Sequence, residues 1–108
     1  MLREGLLIGE KYETMYRVQL SSEAEDFYAA ANLPLAKKLA RCFERLEEDP
    51  RNHPNIKALK GNFAGYYRYR VGDYRVVYYI EQNVDPDIEE EEGLVIVILI
   101  AHRSEVYE

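Results

Sequence analysis

The chain has 108 residues, 47% of them hydrophobic and 31% charged, with ten tyrosines and a formal net charge of −6. That length supports one core rather than two, and the apolar and aromatic content excludes an intrinsically disordered chain. Cys42 stands alone, which excludes an internal disulfide and a cysteine-built zinc framework; no apolar run reaches the roughly 18 to 20 residues of a membrane span, so a soluble, cytoplasmic protein is expected.

Residues 1–14 follow neither a helical nor a strand period and are expected to be a poorly ordered N-terminal extension, with a single domain over residues 15–108. From Met15 to Leu20 apolar and polar residues alternate, which predicts a strand. Ser22 followed by Glu25 matches a capping box and predicts a first helix running to about Ala31. Asn32-Leu33-Pro34 interrupts it, and Pro34 suits the first turn of a second helix. Leu35, Leu39, Phe43 and Leu46 then recur at helical spacing, with Cys42 alongside as a small core residue, until Asp49-Pro50 stops the helix. The two helices are expected to pair antiparallel and lay their apolar stripes on a sheet. From Arg51 to Gly65 the pattern is irregular and reads mainly as loop, carrying Lys57, Lys60 and a solvent-exposed His53.

Two β-rich runs flank Gly72-Asp73, a dipeptide suited to a two-residue hairpin turn because glycine tolerates a positive φ. A two-residue loop fixes the register: Val71 opposes Tyr74, Arg70 opposes Arg75, Tyr69 opposes Val76 and Arg68 opposes Val77. Alternation then gathers Arg68, Arg70 and Arg75 on one face and Tyr67, Tyr69, Val71, Tyr74, Val76 and Tyr78 on the core face. Like charges directly opposed in a ladder are destabilising, so the Arg70/Arg75 pair calls for a carboxylate or a phosphate. Such a face is built to hold an anion.

The excess acidity is local. Residues 81–94 carry seven acids and no base, whereas residues 1–65 are balanced. This run, centred on Asp85 to Glu92, reads as a solvated loop, or alternatively as a flap that screens the arginines. Leu94 to Ala101 is apolar without alternation and predicts a central strand covered on both faces. A strand, two helices and three further strands, a β-α-α-β-β-β order, describe an α+β fold with a three-stranded antiparallel meander and the helices on one sheet face.

This order, with Leu59-Lys60-Gly61, the Tyr67 to Tyr78 hairpin and Ala101-His102-Arg103-Ser104-Glu105-Val106-Tyr107, resembles the RelE/ParE toxin superfamily, the RelE branch most closely, over roughly Met15 to Tyr107. The resemblance implies a metal-independent, cofactor-free endoribonuclease that cuts mRNA in the ribosomal decoding site, held by a cognate antitoxin in a hetero-oligomer. ParE-like relatives that poison DNA gyrase share the fold and give the alternative. The family's basic and aromatic positions match Arg68, Arg70, Arg75, Arg103 and Tyr107. Lys57 and Lys60 are candidate RNA contacts. The chain departs from the family in carrying arginine at 68 and 70 where the best-known member has lysine. Arginine clamps phosphate bidentately and stays charged, but it is not a proton acceptor. His102 and Glu105 are therefore the candidates for the general base. No metal-ligand spacing, phosphate loop or nucleophile triad is present.

Overall fold

The computed structural model describes residues 14–82 and 91–106. Its elements are β1 (Thr14–Leu20), α1 (Ser22–Ala30), α2 (Leu33–Glu48), β2 (Ile56–Ala58), β3 (Tyr67–Val71), β4 (Tyr74–Gln82) and β5 (Glu91–His102). Short 3-10 turns lie at Gly61–Phe63 and Arg103–Glu105. The strands form one mixed sheet in the order β1-β5-β4-β3-β2, with β1 parallel to β5 and every other pair antiparallel. The expected α+β class and the β3-β4-β5 meander are found. The expected N-terminal extension falls on residues outside those described, except that Thr14 already belongs to β1.

Three elements differ from the sequence reading. The segment taken as loop contains β2, whose three residues pair with β3 through Ile56 to Tyr69, Lys57 to Arg68 and Ala58 to Tyr67. The first helix is capped by Ser21 rather than Ser22: its hydroxyl accepts the Ala24 N–H at 3.1 Å and donates to the Ile98 carbonyl at 3.1 Å, while its own N–H donates to the Val97 carbonyl at 2.9 Å. Only Ser21 combines the cap with an anchor on β5, and that decides the start of the helix. Finally, β5 begins at Glu91, ahead of the apolar run, because Glu91 and Glu92 pair with Thr14 and Met15 of β1. Asn32 caps α2 by accepting the Leu35 N–H at 2.9 Å, and Pro34 sits in its first turn as expected.

β5 is not the central strand covered on both faces that its apolar run predicts: it is second from the sheet edge, its Leu94, Ile96, Ile98 and Leu99 are only half-buried, and its alternation is interrupted. Val77 of β4 opposes Leu99, but Tyr78 opposes Val97, so Ile98 is an extra residue, a β-bulge. The bulge shifts the alternation: Val95 and Val97 enter the core before it and Ile100 after it. The helices supply Ala24, Leu39, Cys42 and Leu46 to the same core. Tyr78 is fully buried, and its hydroxyl donates to the Pro50 carbonyl at 2.8 Å, so its one polar atom is satisfied. Burial pushes that phenol well above its ordinary range. Among the described residues no helix is long and apolar enough to cross a membrane.

Cys42 is 2% exposed, and burial pushes its thiol from the ordinary 9.0 up to about 12. Two results are expected. Iodoacetamide should label the folded protein negligibly at neutral pH and the denatured chain at the rate of a free thiol, because the thiolate is the reactive form. Above about pH 9 the unfolded chain releases this proton while the folded one keeps it until about 12. Cys42 should therefore make stability fall as pH rises through that window, and a Cys42→Ala variant melted alongside should lack that part of the decline.

Candidate active site

Gly72 adopts φ +58°, in the left-handed region open to glycine, and the hairpin closes as the sequence predicts, with Arg70 opposite Arg75 and Arg68 opposite Val77. Antiparallel partners share a face, so Lys57, opposite Arg68, joins the arginines on the side of the sheet away from the helices. Tyr69, Val71, Val76 and Tyr78 occupy the core side.

The three arginines are not equivalent. Arg75 is only 7% exposed, and its Nη1 donates to the Gly72 and Tyr74 carbonyls, each at 3.0 Å. Carbonyl dipoles of the turn thus face its charge, where the sequence called for a carboxylate or a phosphate. Arg68 is half-buried, with Nη1 donating to the Asn55 carbonyl at 2.6 Å. Asn55 lies at the entry to β2; it also receives the Arg70 N–H at 3.0 Å on its carbonyl and donates its side-chain amide to the Arg70 carbonyl at 3.1 Å. The backbone of Arg70 is thereby fixed while the residue stays exposed. One residue beyond the reach of sequence reasoning, Asn55, therefore positions two of the candidate cations.

His102 and Arg103 arrive at the same end of the sheet. His102 opposes Tyr74, and its ring meets Tyr74 edge-on at 5.7 Å, while Tyr74 in turn meets Phe27 of α1 at 5.7 Å. The imidazole thus lies toward the helix side, whereas Arg75, opposite Ala101, faces the other way. Nδ1 of His102 receives the Ser104 backbone N–H at 3.2 Å and lies 2.9 Å from the Ser104 hydroxyl oxygen. A backbone N–H can only donate, so the neutral ring holds its proton on Nε2. Arg103 folds back on the turn: its N–H donates to the Asp73 carbonyl at 2.8 Å, and Nε lies 3.8 Å from the Asp73 carboxylate. Glu105 is exposed in the 3-10 turn beside them.

The remaining candidates separate. Lys60 lies past the Leu59 to Tyr66 hydrogen bond, at the end of β3 away from the turn. Tyr107 and the acidic residues 83–90 are outside the described residues. The described ends of that acidic segment, Gln82 and Glu91, stand at the far end of β4, roughly 25 Å from the turn at about 3.3 Å per residue. Its points of attachment are thus remote from the arginines that the alternative reading, a screening flap, would have it cover. His53 is not the exposed loop residue the sequence suggests: it is half-buried and stacks on Tyr69 at 5.1 Å. No cluster of three or more His, Cys, Asp or Glu arranged to hold a metal ion occurs among the described residues.

By sequence, the model of the ParE toxin of the type II toxin–antitoxin system parDE matches residues 10–107. No curated protein matches the chain. Among solved structures, a YoeB/ParE toxin from Agrobacterium tumefaciens superposes with a TM-score of 0.63 at 18% identity, covering 80% of this chain and 96% of that one. The RelBE2 toxin–antitoxin complex from Mycobacterium tuberculosis gives 0.60 at 21%, covering 82% and 99%. The YoeB dimer from Staphylococcus aureus gives 0.59 at 18%, covering 82% and 97%. At these identities the likeness is one of fold.

Proposed function

Starting from the fact that the chain belongs to the ParE toxin family of type II toxin–antitoxin systems, we propose that it is a toxin that cleaves mRNA on the ribosome and is held inactive by a cognate antitoxin. The observation that carries this reading is the face on which Lys57, Arg68, Arg70 and Arg75 are brought together by register. In the proposed reaction the ribose 2′-oxygen attacks the adjacent phosphorus and gives up its proton. The P–O5′ bond then breaks, and the departing 5′-oxygen takes a proton. Fixed cations stabilise the extra negative charge on the phosphoryl oxygens in the transition state.

The tautomer of His102 supports one part for it over another. With Nδ1 engaged by the Ser104 N–H, the neutral ring presents a proton on Nε2 and no lone pair. The neutral ring is thus no base there. Its proposed role, once protonated, is to give the Nε2 proton to the 5′-oxygen from the strand end beside Arg103 and the turn, although the ring lies on the helix side of the sheet. The 2′-hydroxyl proton goes to the Glu105 carboxylate or to water. Arg103 and Tyr107 are proposed to hold the RNA beside the hairpin, and Lys57 and Lys60 to contact its backbone.

The antitoxin partner is supported by the toxin–antitoxin complexes among the solved structures of this fold. Gyrase inhibition is the second reading, and the match to the ParE model favours it. Induced expression followed by mapping of mRNA 5′ ends on ribosomes separates the two. Cuts in phase with codons are expected; their absence together with impaired supercoiling would establish the second reading. Within the first, His102→Gln should slow single-turnover cleavage by about a hundredfold, the low end of general acid–base effects, without changing ribosome binding. An unchanged rate would remove His102 from the chemistry.

A further inference from the structure

On the helix side of the hairpin, an open groove of about 370 Å³ runs between α2 and the β2–β3 edge. Its α2 wall carries Lys38, Arg41 and Arg45, all exposed and spaced three and four residues apart, so their Cα atoms rise along the helix by about 4.5 and 6 Å. The opposite wall carries His53 and Tyr69, and no Asp or Glu is among the lining residues. The Asn55 N–H donates to His53 Nδ1 at 3.0 Å, so the neutral imidazole keeps its proton on Nε2, and the ring is a donor in either charge state. Burial raises the Tyr69 phenol, with the Arg45 charge acting against the rise, so the hydroxyl stays protonated and can also donate. At its end the groove reaches Arg70 and Gly72, the tip of the hairpin.

We infer that this groove binds the phosphate backbone of an RNA strand, as a second polyanion site joined to the arginine face at the hairpin tip. The net charge of −6 does not oppose this, since the excess of acids over bases falls in residues 81–94 while residues 1–65, which hold α2, are balanced. The lining favours a nucleic acid over a protein. Protein interfaces centre on apolar anchors and are depleted of lysine and acids, whereas here the apolar lining residues Cys42 and Val71 are buried. The large exposed apolar residues, Leu33 and Phe63, lie outside the groove. The identity of the polymer, though not the polyanion site itself, rests on the RNA-cleaving reading.

The test is binding of the full chain to a short fluorescent 2′-O-methylated single-stranded RNA, which cannot undergo 2′-hydroxyl attack, measured across a salt series. Each phosphate contact contributes about −0.7 to the slope of log K against log salt, so the Lys38→Gln/Arg41→Gln/Arg45→Gln variant should flatten the slope by about two. The single Arg41→Gln variant should flatten it by about 0.7, and Lys37→Gln, on the same helix but outside the groove, should leave it unchanged. Thermal melting verifies that each variant folds, and the single variants decide the matter should the triple one fail to fold. Equal slopes for wild type and Arg41→Gln, or equal losses for Arg41→Gln and Lys37→Gln, would overturn the inference. So would a poly-glutamate peptide that matches the RNA in affinity and loses as much in the variants, which would make the groove an acidic-protein site. A slope loss confined to the groove variants in a protein that cuts no RNA on ribosomes would uphold the groove and reject the cleavage reading alone.

Discussion

Arg75→Ala should lower both the melting temperature and the cleavage rate, and Lys57→Ala should change either one little. The reason is the position of the guanidinium. Arg75 is 7% exposed and donates from Nη1 to the carbonyls of Gly72 and Tyr74, so removing it strips two part-buried carbonyls of the turn of a charged donor. Hydrogen bonds to charged groups contribute about 1.5–3 kcal/mol, which corresponds to a fall in Tm of roughly 10 °C for a domain of this size. The same substitution removes a fixed positive charge beneath the surface on which a phosphate would sit. Lys57 is exposed on the edge strand, where a flexible ammonium is well solvated and contributes little to either property. Arg75→Lys sorts the two effects: it should recover much of the rate, because the charge remains, but little of the Tm, because an ammonium on a shorter stem does not span both carbonyls. A wild-type melting curve for Arg75→Ala would show that the turn does not depend on this residue. Equal rate losses for Arg75→Ala and Lys57→Ala would place the reaction away from the arginine face.

The hairpin was legible because strand alternation has a period of two and the turn signal lies at a single dipeptide. Once Gly72-Asp73 is the loop, the Arg70/Arg75 pairing follows without further information. The ordering of strands and helices was legible for the same reason, from periods that extend over whole elements. What escaped depends on tertiary choices among short segments. β2 has three residues, too few to show a period, yet the adjoining Asn55 ties down Arg68 and Arg70. The Ile98 bulge hides in an apolar run that reads identically with or without it. Gly93 shows no local reason to be glycine; the reason is the Tyr16 ring on β1, which a Cβ there would approach to 2.5 Å. The cations of α2 did leave a signal, their three- and four-residue spacing. Nothing in that spacing says that His53 and Tyr69 stand opposite, and that juxtaposition is what makes a groove. The direction of His102 was equally out of reach, since it is set by Ser104 and Tyr74 rather than by its place in the strand.

Arg70→Ala should lower the single-turnover cleavage rate by about 10²- to 10³-fold, the range found on removing one preorganised transition-state donor, with the melting temperature unchanged. The contrast with Arg75 comes from exposure. Arg70 is solvent-exposed, and its place in the hairpin is held by backbone: its N–H and carbonyl are both engaged by Asn55, and an alanine keeps those bonds. The side chain is thus free of a folding role and available to the phosphate. Its proximity to Arg75 across the ladder adds to this. Two like charges held together repel each other when the site is empty, and in the proposed reaction a doubly charged phosphorane would relieve that repulsion more than a singly charged phosphodiester does, so the pair would discriminate in favour of the transition state. Arg70→Lys should therefore fall between wild type and alanine, since it keeps the charge and loses the bidentate fork. The decisive measurement is the rate at saturating protein beside the affinity for ribosomes carrying mRNA. A loss in rate at constant affinity is the signature of transition-state stabilisation. If affinity falls in step with an unchanged rate, Arg70 merely tethers the RNA, and the charge that stabilises the reaction must be sought at Arg68 or Arg103.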